Sequence, residues 1–498
     1  MARKLLSQCL SQDDKREAVM GHAKKTTKSF HWISGTIAFL NGRAEVLCER
    51  QFPIMHFRIL CLVLVVFLGF VAQASGATYY VSPSGTDTNP GTEELPWRTL
   101  QKAANTLNPG DLCLIQEGTY TESVTISRSG LSDAPIVFKS IKTHRAVIEG
   151  SIWIKGSYII IDGFTIKLKD GSGVGISVSG NNNEVSTCYI TTDSTNLGLN
   201  NHGIAVGGNY NKVSNSYIEK VCFGLGVTGN NHLIEHNEVF GLKLNGNCGD
   251  VDYMRFFGSN HVIRNNYFHG INYSEVGSAH VDCFQTFDNG GPAYSISNVV
   301  VESNYCSDAA QGMMLEGKIY KQSRGLIVRN NVFARCGAWC VCAVDIADVH
   351  FYNNTCDTTG GIHGMWCRGN GYVGSCEFKN NIIYGTGSLY GVFETASLID
   401  GTPESPGKNN LLFKPGTTIT GYSNDIKNQD PMFVDPVRGN YALRDGSPAI
   451  DSGVEIYGWY DAKDAAGNPR PLGLGWDIGA YEYVSSRPIP PKNLRLVK

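Results

Sequence analysis

Charge is what this chain has least of. Only 17% of its 498 residues are Asp, Glu, Lys or Arg, and 42 cations against 45 anions leave a net charge of −3. Without a basic excess there is no electrostatic footprint for nucleic acid. Long apolar runs are missing as well. The run from Ile59 to Val71 has 13 residues, short of the ~20 that a membrane span needs. Helical periodicity is equally scarce: PWRTLQKAANTL is the one convincing pattern, with Leu100, Ala103, Ala104 and Leu107 on one face. What the chain does have is glycine, 57 residues of it, as a structure made of many tight bends requires.

One short phrase keeps returning. It reads IEHNEV, IRNNYF, VESNYC, VRNNVF, FYNNTC and FKNNII, each with an Asn at the same place: Asn237, Asn266, Asn304, Asn331, Asn354 and Asn381. Apolar and polar residues alternate within each phrase, the period of a strand with one buried face. The intervals of 29, 38, 27, 23 and 27 residues are those of a solenoid, whose units bury their apolar faces only by stacking. The expected fold is therefore all-β, a parallel β-helix. Asn suits the bend between two strands, and stacked amides can form a hydrogen-bonded ladder. Two sequons occur, at Asn272 and Asn353, and the turn reading is preferred for Asn353.

Residues 1–54 carry no repeat phrase and read as an over-extended start. Residues 55–74 have a charged beginning, the apolar run and an Ala72-Gln73-Ala74 end, the layout of a secretory signal peptide. The alternative is a short signal-anchor. Cleavage would leave 12 of the 15 cysteines and lower Lys+Arg from 42 to 32 and Asp+Glu from 45 to 40, a net charge near −8. So acidic a body needs a local cation to meet an acidic substrate. A secreted chain permits disulfides, and Cys336, Cys340, Cys342, Cys367 and Cys376 are dense enough to pair. Cys306 and Cys356 fall at inward positions and read as core filler. The remaining boundaries are a cap containing the helix with the first strands over 75–135, coils with a central cleft over 136–385, C-terminal coils and a closing segment over 386–484 with Trp476 and Tyr481 as core plugs, and a Pro-rich tail over 485–498.

Insertions swell between Asn237 and Asn304, where a rigid scaffold would carry its site. There Asp252 and Asp282 stand three residues before Arg255 and Gln285, and Asp250 and His280 form a second equivalent pair. Equivalent places on successive coils lie ~4.8 Å apart, so Asp250, Asp252, His280 and Asp282 would crowd one patch, with Glu316 and Lys318 bordering it. Carboxylates that close require a cation, with oxygen ligands suiting Ca²⁺, or one of them protonated as a general acid. The structural alternative is that the Asp residues cap turns, His280 is a hydrogen-bond donor, Arg255 pairs with an Asp and Lys318 is solvated. Of Tyr253, Phe256, Phe257, Tyr273, Phe284 and Phe287, half should point inward, and those facing out could stack on sugar rings.

The segment GDVDYMRFFGSNHVIRNNYFHG with AHVDCFQTF resembles secreted bacterial right-handed parallel β-helix proteins of the polysaccharide-lyase-like (pectin lyase-like) superfamily, and the stretch Thr78–Val124 resembles their N-terminal cap. The resemblance spans about Thr78 to Tyr483. It implies an extended cleft, a uronate-containing polysaccharide as partner and β-elimination as the reaction. Carried over, Asp250, Asp252 and Asp282, with Glu316, would hold Ca²⁺. Arg255, His280 or Lys318 would act as base or charge neutraliser, and Gln285, Phe257 and Tyr273 would contact substrate. A glycoside hydrolase using paired carboxylates and a non-catalytic glycan-binding protein are the alternatives. A monomer without a membrane span in the mature chain is expected.

Overall fold

The computed structural model describes residues 76–169, 173–194, 201–243, 248, 250–271, 280–288, 294–317, 323–368, 376–393, 407–420 and 424–484. The expected extension, signal peptide and tail, together with Asn272, Tyr273 and Lys318, lie outside them. The described residues belong to one compact unit, Ala74–Lys498.

From Thr78 to Lys427 the chain winds through three parallel sheets of 14, 11 and 13 strands, called here the first, second and third sheet. One coil shows the rule. Strands Ile136–Ser140, Ala146–Glu149 and Ile152–Ile154 enter the first, third and second sheets in turn, and Ile159–Asp162 returns beside Ile136–Ser140. Alternation sets the burial: Ile136 and Phe138 are buried, whereas Lys139 is exposed. Inward residues then stack coil on coil, as in the row Ile152, Ile176, Ile204, Leu225 and Met254. The three sheets also take in strands before Ile136 and after residue 385.

The recurrent Asn residues form the ladder that the sequence suggested. Asn304 Nδ2 donates to Asn331 Oδ1 at 3.0 Å and its main-chain N–H to the same oxygen at 2.9 Å, and this repeats from Asn237 through Asn410. The bend itself is made one residue earlier than expected. His236, Asn265, Ser303, Asn330, Asn353 and Asn380 have φ between 54° and 58°, and none of the six ladder Asn does. The ladder Asn is thus a bonding residue and its predecessor the left-handed one. Asn353 and Asn354 are fully buried, in keeping with the turn reading.

The cap helix runs Leu100–Thr106, with Thr99 capping Lys102 N–H and Leu100, Ala103 and Ala104 buried. Among the described residues no helix is long and apolar enough to cross a membrane. Four disulfides join strands and loops: Cys222–Cys248, Cys283–Cys306, Cys340–Cys356 and Cys367–Cys376. Cys306 and Cys356 do point inward, but they are bonded and not mere filler, because a facing cysteine stands within bridging distance.

The closing segment corrects a second expectation. Trp476 and Tyr481 are buried, yet against outer-face residues of the coils, Tyr352 and Ile382 among their clusters, and not in the end of the main core. The segment runs back along the side of the coils. Left-handed corner residues grip its main chain: Asn330 Nδ2 on Lys463 O, Asn353 on Asp477 O, Asn380 on Val454 O and Asn409 on Ser452 O. Buried Arg470 bonds Asn330 and pairs with buried Glu482 at 2.7 Å.

Candidate functional site

The acidic patch assembles on the outer face of the second sheet. A bridge pairs Asp250 with His280, and the register matches Arg255 with Gln285 and Asp282 with Gln311. Strict alternation would put Asp252 and Arg255, three apart, on opposite faces. The backbone avoids this because two consecutive residues turn inward, Tyr253 and Met254 on one coil and Cys283 and Phe284 on the next, all fully buried.

The guanidinium of Arg255 ion-pairs with both Asp250 and Asp252, and it lies 4.3 Å over the Phe223 ring and 5.4 Å from Phe287. His280 Nδ1 lies 3.0 Å from Asp282 Oδ2 and 3.7 Å from Asp250 Oδ1, and its Nε2 meets the Gln311 side-chain amide. Asp252 Oδ1 accepts the main-chain N–H of Asp282 at 3.2 Å. Asp250, Asp252 and His280 bring ligand atoms within 4.8 Å of one another.

Burial governs the protonation. Asp252 and Asp282 are both fully buried, and the cost of burying charge pushes both carboxyls up. Asp252 rises well above the ordinary range, driven next by the Asp282 charge and opposed by Arg255. Asp282 rises to about 6, with His280 holding it down. Contact with Asp282 raises His280 to about 9, so at neutral pH it is a cation. An arginine does not deprotonate in proteins. Arg255 and His280 thus carry positive charge beside the acids, and the carboxyl poised near neutrality is Asp282.

The other expected residues separate. Glu316 pairs in register with Phe287, five residues along the strand from Gln311, or ~16 Å at ~3.3 Å per residue, so it does not border the patch. Gln285 does, 6% exposed with its Oε1 unpaired. Phe257 is not an open platform, being 7% exposed with Phe287 and Tyr294 packed edge-on against it. Sequence reasoning missed Gln311, which reaches His280, and His202, which stacks on Phe223 at 4.9 Å. The phrase QGMMLEGK held the first; its own Gln was the partner, one coil after Asp282. A cavity of about 830 Å³ lies elsewhere, between His236, Ser303 and the closing segment at Trp459, and holds none of these groups. The perturbed, convergent carboxyls mark the site better than cavity size.

Residues 79–222 match the family described as Pel9A-like, right handed beta helix region. Those coils are similar to a Pel9A-like right-handed β-helix. Curated relatives include the uncharacterized protein YwoF of Bacillus subtilis, 33% identical over 131 residues, covering 23% of this chain and 28% of that protein. Pectate lyase L of Dickeya dadantii is 33% identical over 92 residues, covering 16% and 22%. The chain thus spans about a quarter of the length of the curated relatives it matches. A crystal structure of pectate lyase Pel9A aligns at 18% identity over 83% of this chain and 98% of its own, with a TM-score of 0.48. The Pel9A-like stretch ends at Cys222, before Asp250, so the family match carries the winding and the acidic patch stands on its own geometry.

Proposed function

We propose that the chain is a secreted polysaccharide lyase that cleaves a uronate-containing polysaccharide by β-elimination in the groove over the second sheet. The observation that carries this reading is the convergence of Asp282, near neutrality in its titration, with two cations, His280 and Arg255, on adjacent coils. Asp282 Oδ1 has no hydrogen-bond partner but its side chain is fully buried against half-exposed His280, so it takes the proton beside the uronate carboxylate once the His280 side chain swings aside. The electron pair left behind forms the new C=C bond as the glycosidic C–O bond breaks. His280, still protonated at neutral pH, supplies a proton to the departing oxygen, and the two cations offset charge building on the carboxylate. Pectate lyases among the relatives support the reading, and four disulfides support an oxidising, extracytoplasmic setting.

Ca²⁺ fits the patch. Asp250 Oδ1 and Gln285 Oε1, buried without hydrogen-bond partners, would hold it, with Asp252 joining them where it gives up Arg255, and oxygen donors suit this hard cation. Bound there, it would add positive charge next to the substrate carboxylate. A second reading, a glycoside hydrolase, is favoured by two buried carboxyls on adjacent coils, Asp252 and Asp282, both pushed up by burial.

The test is incubation with polygalacturonate and alginate, with and without calcium or a chelator. Ultraviolet-absorbing unsaturated ends are expected, with calcium raising the thermal midpoint. Reducing sugar without unsaturation would establish the hydrolase instead, and binding without cleavage would leave a glycan-binding protein.

A further inference from the structure

The outward row that contains the acidic pair continues beyond it. Asp282 pairs with Gln311, the match of Met313 with Val341 sets Gln311 opposite Trp339, Trp339 pairs with His363, and His363 with Ser388. One strand-position row of the second sheet therefore reads Asp252, Asp282, Gln311, Trp339, His363, Ser388. Trp339 lies two strands past Asp282 and His363 three, ~10 and ~14 Å at ~4.8 Å per strand.

These side chains are ordered by one another. The Trp339 and His363 rings stack at 3.9 Å and 22°. Ser388 Oγ lies 2.8 Å from His363 Nδ1 and accepts Trp366 Nε1–H at 3.1 Å. Trp339, His363 and Trp366 are only half-buried, and Trp339 Nε1 donates to no described residue. Each tryptophan is followed by a disulfide cysteine, Cys340 to Cys356 and Cys367 to Cys376. The backbone between them is fixed too: a Cβ on Gly364 would lie 1.9 Å from Leu389 O. The corresponding aromatic on the other flank of the acids is unavailable, since Phe223 is 4% exposed beneath His202 and Arg255.

We propose that Trp339, His363 and Trp366 form a sugar-binding platform, taking units of the polysaccharide two to three residues from the bond that is cleaved. Half-exposed indoles offer an apolar face and a polar edge, which matches a sugar ring with its apolar face and hydroxyl rim. Strands step at roughly the length of a sugar unit, so the row is spaced for a chain lying across the strands. Prior ordering by stacking and disulfides lowers the entropic cost of binding. The proposal rests on the groove being a polysaccharide site but not on the cleavage chemistry.

Binding is measured by affinity electrophoresis in gels containing polygalacturonate or alginate, on the full chain with Asp282→Asn to prevent turnover. Against that parent, Trp339→Ala and Trp366→Ala each weaken retention ~10-fold, the cost of truncating a buried aromatic anchor. Trp339→Phe stays close to the parent, and Tyr457→Ala, at a 96% exposed position on the closing segment, leaves binding unchanged. With Asp282 restored, Trp339→Ala raises KM on polymer with kcat little changed and has no effect on a disaccharide. Retention unchanged in Trp339→Ala and Trp366→Ala, both with parental thermal midpoints, overturns the platform. So does equal loss in Tyr457→Ala. Binding lost in the tryptophan variants, where the chain with Asp282 intact forms no unsaturated product, supports the platform while refuting the lyase.

Discussion

Replacing Arg255 with Gln is the sharpest probe of the acidic patch. The change keeps most of the side-chain length and removes the charge that both Asp250 and Asp252 face. Asp250 is 37% exposed and can turn to water, so its loss is small. Asp252 is fully buried, and stranding one partner of a buried pair costs about 3–5 kcal/mol. With Arg255 itself 19% exposed, the lower end, about 3 kcal/mol, is expected. For a unit of this size that is a fall in thermal midpoint of about 3–4 °C. The pH dependence gives the cause away. The Asp252 carboxyl already titrates above the ordinary range, so its ionisation in the folded chain lowers stability as pH rises. Loss of the guanidinium raises it further, and the deficit against the parent must grow from about pH 4, where the carboxyl is protonated in both, to about pH 8. Urea unfolding at the two ends of that range measures it. A deficit below about 1 kcal/mol, or one equal at both pH values, would show that Arg255 is not the counter-charge.

Asn331→Ala removes the acceptor for two Asn304 donors and the Nδ2 donor to Val301 O, while Asn354 Oδ1 keeps the main-chain N–H of residue 331; about 3 kcal/mol of stability should go, read by urea unfolding, and a loss under about 1 kcal/mol would refute the ladder's role. Asp282→Asn should cut product formation at least ~100-fold while the thermal midpoint holds or rises, since a buried charge is removed; retained activity excludes it as the base. The buried histidines should weaken the fold from about pH 6.5 downward. Burial lowers His261 and His202 to about 4, so between those values the unfolded chain binds more protons, a loss of about 3 kcal/mol for each by about pH 4. Asp252 and Asp282, raised in the folded chain, gain stability over the same window and oppose this loss, so the test is differential: His261→Gln should remove about 3 kcal/mol of the acid loss at pH 4 relative to the parent, and an unchanged pH profile would contradict the neutral state of His261.

The winding was legible because its signal repeats. An Asn recurring inside an alternating phrase survives variation in coil length, and so does the offset of thirty that brings Asp252 to Asp282 and Arg255 to Gln285. Legibility failed where coil lengths change. From Asp282 the next steps along the row are 29, 28 and 24 residues, to Gln311, Trp339 and His363, so Glu316 drew attention that belonged to Gln311. The contacts of Arg255 and His280 could not be read either, because which carboxylate each one touches depends on side-chain geometry across two coils. Disulfide partners were hidden for a similar reason: Cys306 and Cys356 show the inward position in the phrase, but their partners lie outside it. Nor does local sequence say that Trp476 and Tyr481 cover a flank instead of an end.

That flank covering alters how the molecule should come apart. A stack of coils touching only their neighbours can unzip from its terminus one rung at a time. Here a single strap is tied at Asn330, Asn353, Asn380 and Asn409, so the last rung cannot peel away without tugging on three earlier ones. The strap converts a row of loosely independent layers into one cooperative block, and that block includes the layers bearing Trp339 and Trp366.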